Sequence, residues 1–231
     1  MRLPPIRRTP WYVADSMAIF LRILFAALLA LVVVTRADAH PHVWVTMKNE
    51  LVYAPDGTIT GVQHSWAFDD MFSVFATQGL ESKTKGVFTR EELAPLAKVN
   101  VDSLKEYGYF TYVTADGKKA ELTDPQDGKY WLDYNDSILT LHFTLPFKQP
   151  LKAKDLLIDI YDPTIFVDFE FAKDRPVSAA NLPAQCKMTF ERPREMTFAE
   201  GKALSNIPAD QPNLTMQWGA QFANKIKVKC G

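Results

Sequence analysis

Three turn signals constrain this chain more than any other feature. Pro55-Asp56-Gly57, Asp116-Gly117 and Asn135-Asp136 each separate two stretches with strand character. Residues 43–54 and 58–68, 109–115 and 118–123, and 130–134 and 138–145 therefore read as three hairpins. Later stretches at 156–161, 165–171, 186–191 and 226–230 read as further strands, the first two separated by Asp162-Pro163. Helical spacing replaces alternation after the first hairpin, where Met71, Phe72, Phe75 and Ala76 share a face of a helix over 69–80. A second helix spans 89–107, with Thr89 and Glu92 as a capping box and Gly108 as its stop. Pro95 lies inside it and predicts a kink or an early break. A weaker helix covers 196–206, and 208–212 is loop. The expected fold class is α+β, mostly antiparallel β-sheet with a helix–loop–helix inserted after the first hairpin.

The first 39 residues stand apart from the rest. They hold five Arg and two acids, whereas residues 40–231 carry a net charge of −4, all four His and both Cys. Within the first segment, residues 23–34 form an uncharged apolar run, shorter than the roughly 20 residues a membrane span needs. Arg22 precedes the run and Ala37-Asp38-Ala39 follows it, the layout of a secretory signal peptide with cleavage before His40. The competing reading is an uncleaved anchor. Met17 also makes a good initiator, which would turn residues 1–16 into a start-site artefact. The expectation is a signal peptide over 1–39, a single periplasmic domain over 40–231, and no membrane span after cleavage. A mildly acidic chain without a Lys/Arg block argues against nucleic acid as a partner.

Export changes the chemistry expected of Cys186 and Cys230, the sole cysteines. An oxidising compartment favours a disulfide between them, and a paired cystine is no nucleophile. Two free thiols or a metal pair is the alternative.

Residues 81–92 have EF-hand spacing, with Gly86 at the sixth position, Phe88 at the eighth and Glu92 at the twelfth. Lys83 and Lys85 stand where carboxylates should coordinate. Two ammonium groups oppose a cation, so the loop reads as a degenerate EF-hand with no calcium expected. Chance matching around one Gly and one Glu is the competing account.

His40-Pro41-His42 is the most informative histidine motif. As a mature N-terminus, His40 offers an α-amine and an imidazole, both available as neutral ligands near neutral pH. Pro41 lacks an amide N–H, which blocks chelation through successive deprotonated amides. His42 adds a second imidazole. This donor set suits Zn, Ni, Co or Cu. A hairpin turning at 55–58 pairs positions that sum to about 113, which brings Asp69 and Asp70 close to His42. The same register sets His64 opposite residue 49, roughly 23 Å from His42 along the strand. Asp168 is a further candidate. It shares a strand face with Glu170, and a solvated sheet face is the plain alternative for that pair. For His40 and His42 the alternative is a solvated tail. His142 alternates with Thr140 and Thr144 and reads as a surface residue.

Catalytic templates such as G-x-S-x-G, H-E-x-x-H, the P-loop and G-x-G-x-x-G do not occur in the sequence, so no enzyme activity is expected.

Three stretches carry a resemblance over nearly all of residues 40–230. They are His40-Pro41-His42-Val43-Trp44-Val45, then Trp66-Ala67-Phe68-Asp69-Asp70-Met71-Phe72-Ser73, then Tyr161-Asp162-Pro163-Thr164 with Phe166-Val167-Asp168. Together with the terminal Lys229-Cys230, they resemble the bacterial exported family catalogued as domain of unknown function 1007. That resemblance implies a periplasmic component of an ABC-type transport system, with some relatives tied to nickel/cobalt-type exporters. Many relatives carry D-x-N-x-D-G in the calcium-type loop, and this chain departs there. A ligand-trapping binding protein needs two lobes of repeated strand–helix units, which this pattern lacks. The expected role is an accessory that handles a transition-metal ion beside a membrane transporter. The alternative is a metal-free interaction module that docks on a transporter or envelope protein.

Overall fold

In the computed structural model, described over residues 43–205 and 219–231, the first turn signal closes the hairpin that organises everything else. Strand β1 (Val43–Tyr53) pairs antiparallel with β2 (Ile59–Phe68), with Val45 opposite Phe68 and Asn49 opposite His64. This is the register expected from the turn at 55–58. Alternation drives it, because Val43, Val45, Met47, Leu51 and Tyr53 face the core while Trp44, Thr46 and Lys48 face out.

Helix α1 (Asp70–Thr77) follows β2, and α2 (Arg90–Lys105) follows α1. The α2 start is as expected: Thr89 Oγ1 accepts from Glu92 N, and Glu92 Oε2 accepts from Thr89 N at 2.8 Å. Pro95 corrects an expectation, since α2 runs through it without a break. Its missing N–H leaves only the exposed side of the helix short of a bond. The buried stripe of Leu93, Ala97 and Val101 continues on the other side and keeps the helix packed on the core.

Residues 109 and 110 also differ from expectation. They form a 3-10 turn, Gly108–Phe110, rather than the start of a strand. Gly108, Tyr109 and Phe110 all have positive φ, of 59°, 55° and 50°. Burial of both aromatic rings offsets that strain.

The remaining strands are β3 (Thr111–Ala115), β4 (Lys118–Ala120), β5 (Tyr130–Asn135), β6 (Ile138–Leu151), β7 (Asp155–Ile160), β8 (Val167–Phe171), β9 (Val177–Ala180), β10 (Cys186–Glu191) and β11 (Asn224–Cys230). A short helix α3 (Phe198–Ser205) and a 3-10 turn (Ala220–Phe222) lie between the last two strands. The first sheet has the order β5-β6-β2-β1-β8, with β9 also on β1. The second has the order β10-β11-β7-β3-β4. Pairing is antiparallel except at β8 and β9, which run parallel to the two halves of β1. Gly61 lets β2 approach β6, since a Cβ there would lie 2.6 Å from the Leu145 carbonyl oxygen.

One core joins the inner faces of the two sheets. Trp66 on β2 lies 4.8 Å from Phe169 on β8 and 6.5 Å from Phe110 before β3, centroid to centroid. The same cluster takes in Ile158, Ile226 and Val228 of the second sheet and Leu93 of α2. His64 is fully buried within it, stacked on Phe143 at 4.8 Å, with Nδ1 2.7 Å from Asn49 Oδ1. Burial pushes its pKa down to about 3, so the ring is neutral. Cys186 and Cys230 face each other across β10 and β11 and are joined in a disulfide. Among the described residues no helix is long and apolar enough to cross a membrane.

Candidate functional site

The outer face of the first sheet collects the chemistry-bearing residues. Registers across β1, β2, β6 and β5 set Lys48, Ser65, His142 and Trp131 in one row. The next row holds Glu170, Thr46, Ala67, Thr140 and Asp133. At the end where β1 begins, Trp44 lies beside Asp168.

Ser65, His142 and Asp133 form a hydrogen-bonded chain. Ser65 Oγ is 2.9 Å from His142 Nδ1, and His142 Nε2 is 3.3 Å from Asp133 Oδ2. Asp133 is also gripped from α2, accepting from Arg90 Nε at 2.6 Å and Arg90 Nη2 at 2.9 Å. The Trp131 indole N–H donates to Asp133 Oδ2 at 3.1 Å, and its ring stacks on His142 at 4.8 Å. Burial pushes the Asp133 carboxyl up, and Arg90 and Trp131 more than offset this, leaving it below the ordinary carboxylate value. Burial lowers the His142 pKa; Asp133 opposes that shift and Arg90 adds to it. A neutral imidazole between a hydroxyl and a carboxylate can accept a proton from Ser65. The Ser65 backbone sits mid-strand in β2, between β1 and β6. The chain of bonds is a strap linking β2, β6, β5 and α2.

His142 lies on the polar face of β6, as its alternation with Thr140 and Thr144 predicts, but it is half-buried rather than a surface residue. Its side chain is 19% exposed and engaged at both nitrogens. Alternation shows which face a residue occupies. The β2–β6 register that brings Ser65 to His142, 77 positions apart, has no local signal.

The expected metal-site residues divide. His40 and His42 lie outside the described residues. Asp69 caps α1 through Oδ1, which accepts from Phe72 N at 2.8 Å. Its Oδ2 accepts from Trp44 N at 2.9 Å, and its own N–H donates to Trp44 O at 2.9 Å. Asp70 begins α1, is exposed, and accepts from Met71 N at 2.9 Å. Asp168 lies on β8, on the other side of Trp44 from Asp69. Partial desolvation of its carboxyl raises its pKa although the residue is exposed, and neighbouring Glu170 adds to the effect. Among the described residues, no three His, Cys, Asp or Glu side chains are grouped so as to hold a metal ion.

The family described as protein of unknown function (DUF1007) matches residues 25–230. The chain belongs to this family. The DUF1007 chain is 23% identical over 209 residues to an uncharacterized protein of Haemophilus influenzae, a match covering 89% of this chain and 98% of that one. It is 37% identical over 94 residues to an uncharacterized 15.5 kDa protein in the trpE 3′ region of Spirochaeta aurantia, covering 40% of this chain and 66% of that one.

Proposed function

We propose that this DUF1007 chain is an exported, periplasmic accessory of a transport system, and that it handles a divalent transition-metal ion beside a membrane transporter. His40 would contribute its amine and imidazole, His42 an imidazole, and Asp69 an oxygen. Asp70 and Asp168 are the other candidate oxygen donors. The observation that supports this reading is the double hydrogen bond of Asp69 to the Trp44 backbone. It holds a carboxylate beside a residue two positions after His42, and an ionised carboxylate keeps lone pairs free after accepting two bonds. Nitrogen-rich, mixed N/O coordination suits Zn, Ni, Co or Cu. No calcium role is proposed for residues 81–92. The Glu92 carboxylate is occupied by the backbone N–H groups of Lys83 and Thr89, at 2.9 and 2.8 Å. We read this segment as a degenerate EF-hand frame.

The test is calorimetry of the exported protein with Zn²⁺, Ni²⁺ and Cu²⁺, beside its His40→Ala, His42→Ala and Asp69→Asn variants. Binding lost in the histidine variants supports the reading, and no heat at pH 7.5 refutes it. A second reading rests on α1, whose Met71, Val74 and Phe75 are 72%, 60% and 72% exposed at helical spacing. Such a face suits an interaction module that docks on a transporter or envelope protein without metal.

A further inference from the structure

The free edge of β8 borders a groove that neither reading uses. Hydrogen bonds from Val43 N to Phe166 O and from Ala172 N to Met47 O fix which β8 groups face β1. The N–H and C=O groups of Val167, Phe169 and Phe171 therefore point the other way. Side chains occupy several positions along this edge. Asp162 Oδ2 accepts from Val167 N at 2.9 Å, Asn224 Nδ2 donates to Phe169 O at 2.6 Å, and Arg192 Nη1 donates to Phe171 O at 2.5 Å. The N–H of Phe169 has no partner among the described residues.

Beside this edge lies a cavity of about 600 Å³, bounded by β8 on one side and by Arg192–Met196, Phe222 and Asn224 on the other. Two features give it chemistry. Asn224 is only 1% exposed, yet its Oδ1 has no hydrogen-bond partner among the described residues. A buried orphan acceptor is costly unless a donor reaches it. Asp168 and Glu170 also line the cavity. Asp168 has no cationic partner among the described residues, and Glu170 has Arg192 at 3.8 Å, a guanidinium already donating to Phe171 O and Ala172 O.

We propose that this groove binds an extended basic peptide segment of a partner protein. The segment lies along the β8 edge, with one carbonyl on the Phe169 N–H and one N–H on Asn224 Oδ1. Its Lys or Arg side chains reach Asp168 and Glu170. Strand addition supplies backbone bonds, and alternate side chains supply selectivity. Asp168 and Glu170 are two positions apart on one face, so they select basic residues two positions apart in the ligand, with an apolar residue between them turned toward Phe169 and Phe222. The proposal is independent of the metal reading, although Asp168 is a candidate in both.

Fluorescence anisotropy of fluorescein-labelled Thr-Lys-Val-Lys-Thr-amide tests it, using the exported protein in EDTA so that metal is absent. Saturable binding that weakens with salt is expected, together with no binding of the matching Thr-Glu-Val-Glu-Thr peptide. The Asp168→Asn, Glu170→Gln double variant changes exposed strand positions. It should weaken binding by about tenfold or more with an unchanged circular dichroism spectrum. The Asn224→Leu variant should weaken binding as well. Absence of saturable binding, equal binding of the acidic peptide, or undiminished binding by the double variant would overturn the proposal. Because the assay contains no metal, its failure leaves the metal reading standing.

Discussion

Asp69 holds Trp44 by both of its backbone polar groups, accepting from Trp44 N through Oδ2 and donating its own N–H to Trp44 O, each at 2.9 Å. Its Oδ1 meanwhile caps α1. One side chain thus joins the start of β1, the end of β2 and the first turn of a helix. Asp69→Ala should cost about 1–2 kcal/mol, as loss of an N-cap does, and Asp69→Asn less, because its amide oxygen still caps α1 while its NH2 cannot accept from Trp44 N. Urea denaturation of both variants measures the difference, and an Asp69→Ala midpoint equal to wild type would contradict the cap.

The disulfide ties β10 to β11 at directly opposed positions. With a sequence separation of 44 residues, chain entropy assigns the bond roughly 4 kcal/mol. The Cys186→Ser, Cys230→Ser double variant should lose stability on that scale in guanidinium titrations. Mass spectrometry of the untreated protein should find no alkylatable thiol.

Acid should weaken the fold before carboxylates matter. The folded pKa values of His64 and His142 both lie below the ordinary histidine value, His64 at about 3, with burial as the main cause. A depressed folded pKa means that the unfolded chain binds the proton first. Their contribution is complete above about pH 6.5 and falls away below it, for His64 down to about pH 3, at up to roughly 1.4 kcal/mol per pH unit per group. Denaturant midpoints at pH 7.5, 6 and 5 should decline, and a flat profile over that range would refute the buried neutral His64.

His142 should respond oppositely to its two charged neighbours. Asp133 raises its pKa and Arg90 lowers it. In a nuclear magnetic resonance titration, Asp133→Asn should move the His142 midpoint down and Arg90→Gln should move it up. Shifts of the same sign would mean that the strap is arranged differently.

The sequence by itself determined what depends on neighbours along the chain. The Thr89–Glu92 capping box, the turns at 116–117 and 135–137 with their positive φ values, and the β1–β2 register could all be read because each is local or propagates from one turn. The face occupied by His142 and by Asp168 was legible for the same reason. Tertiary structure decided the partners. The parallel pairing of β1 with β8 and β9 joins segments more than a hundred residues apart and leaves no trace in local alternation. Ser65 meets His142 only because β2 lies beside β6, and Asn224 meets Phe169 only because the second sheet packs across the first. Pro95 shows the same division from the other side: its local preference is to break a helix, and the buried stripe of Leu93, Ala97 and Val101 overrides it. Periodicity encodes which way a side chain points. What it meets depends on how sheets and helices bury their apolar faces together.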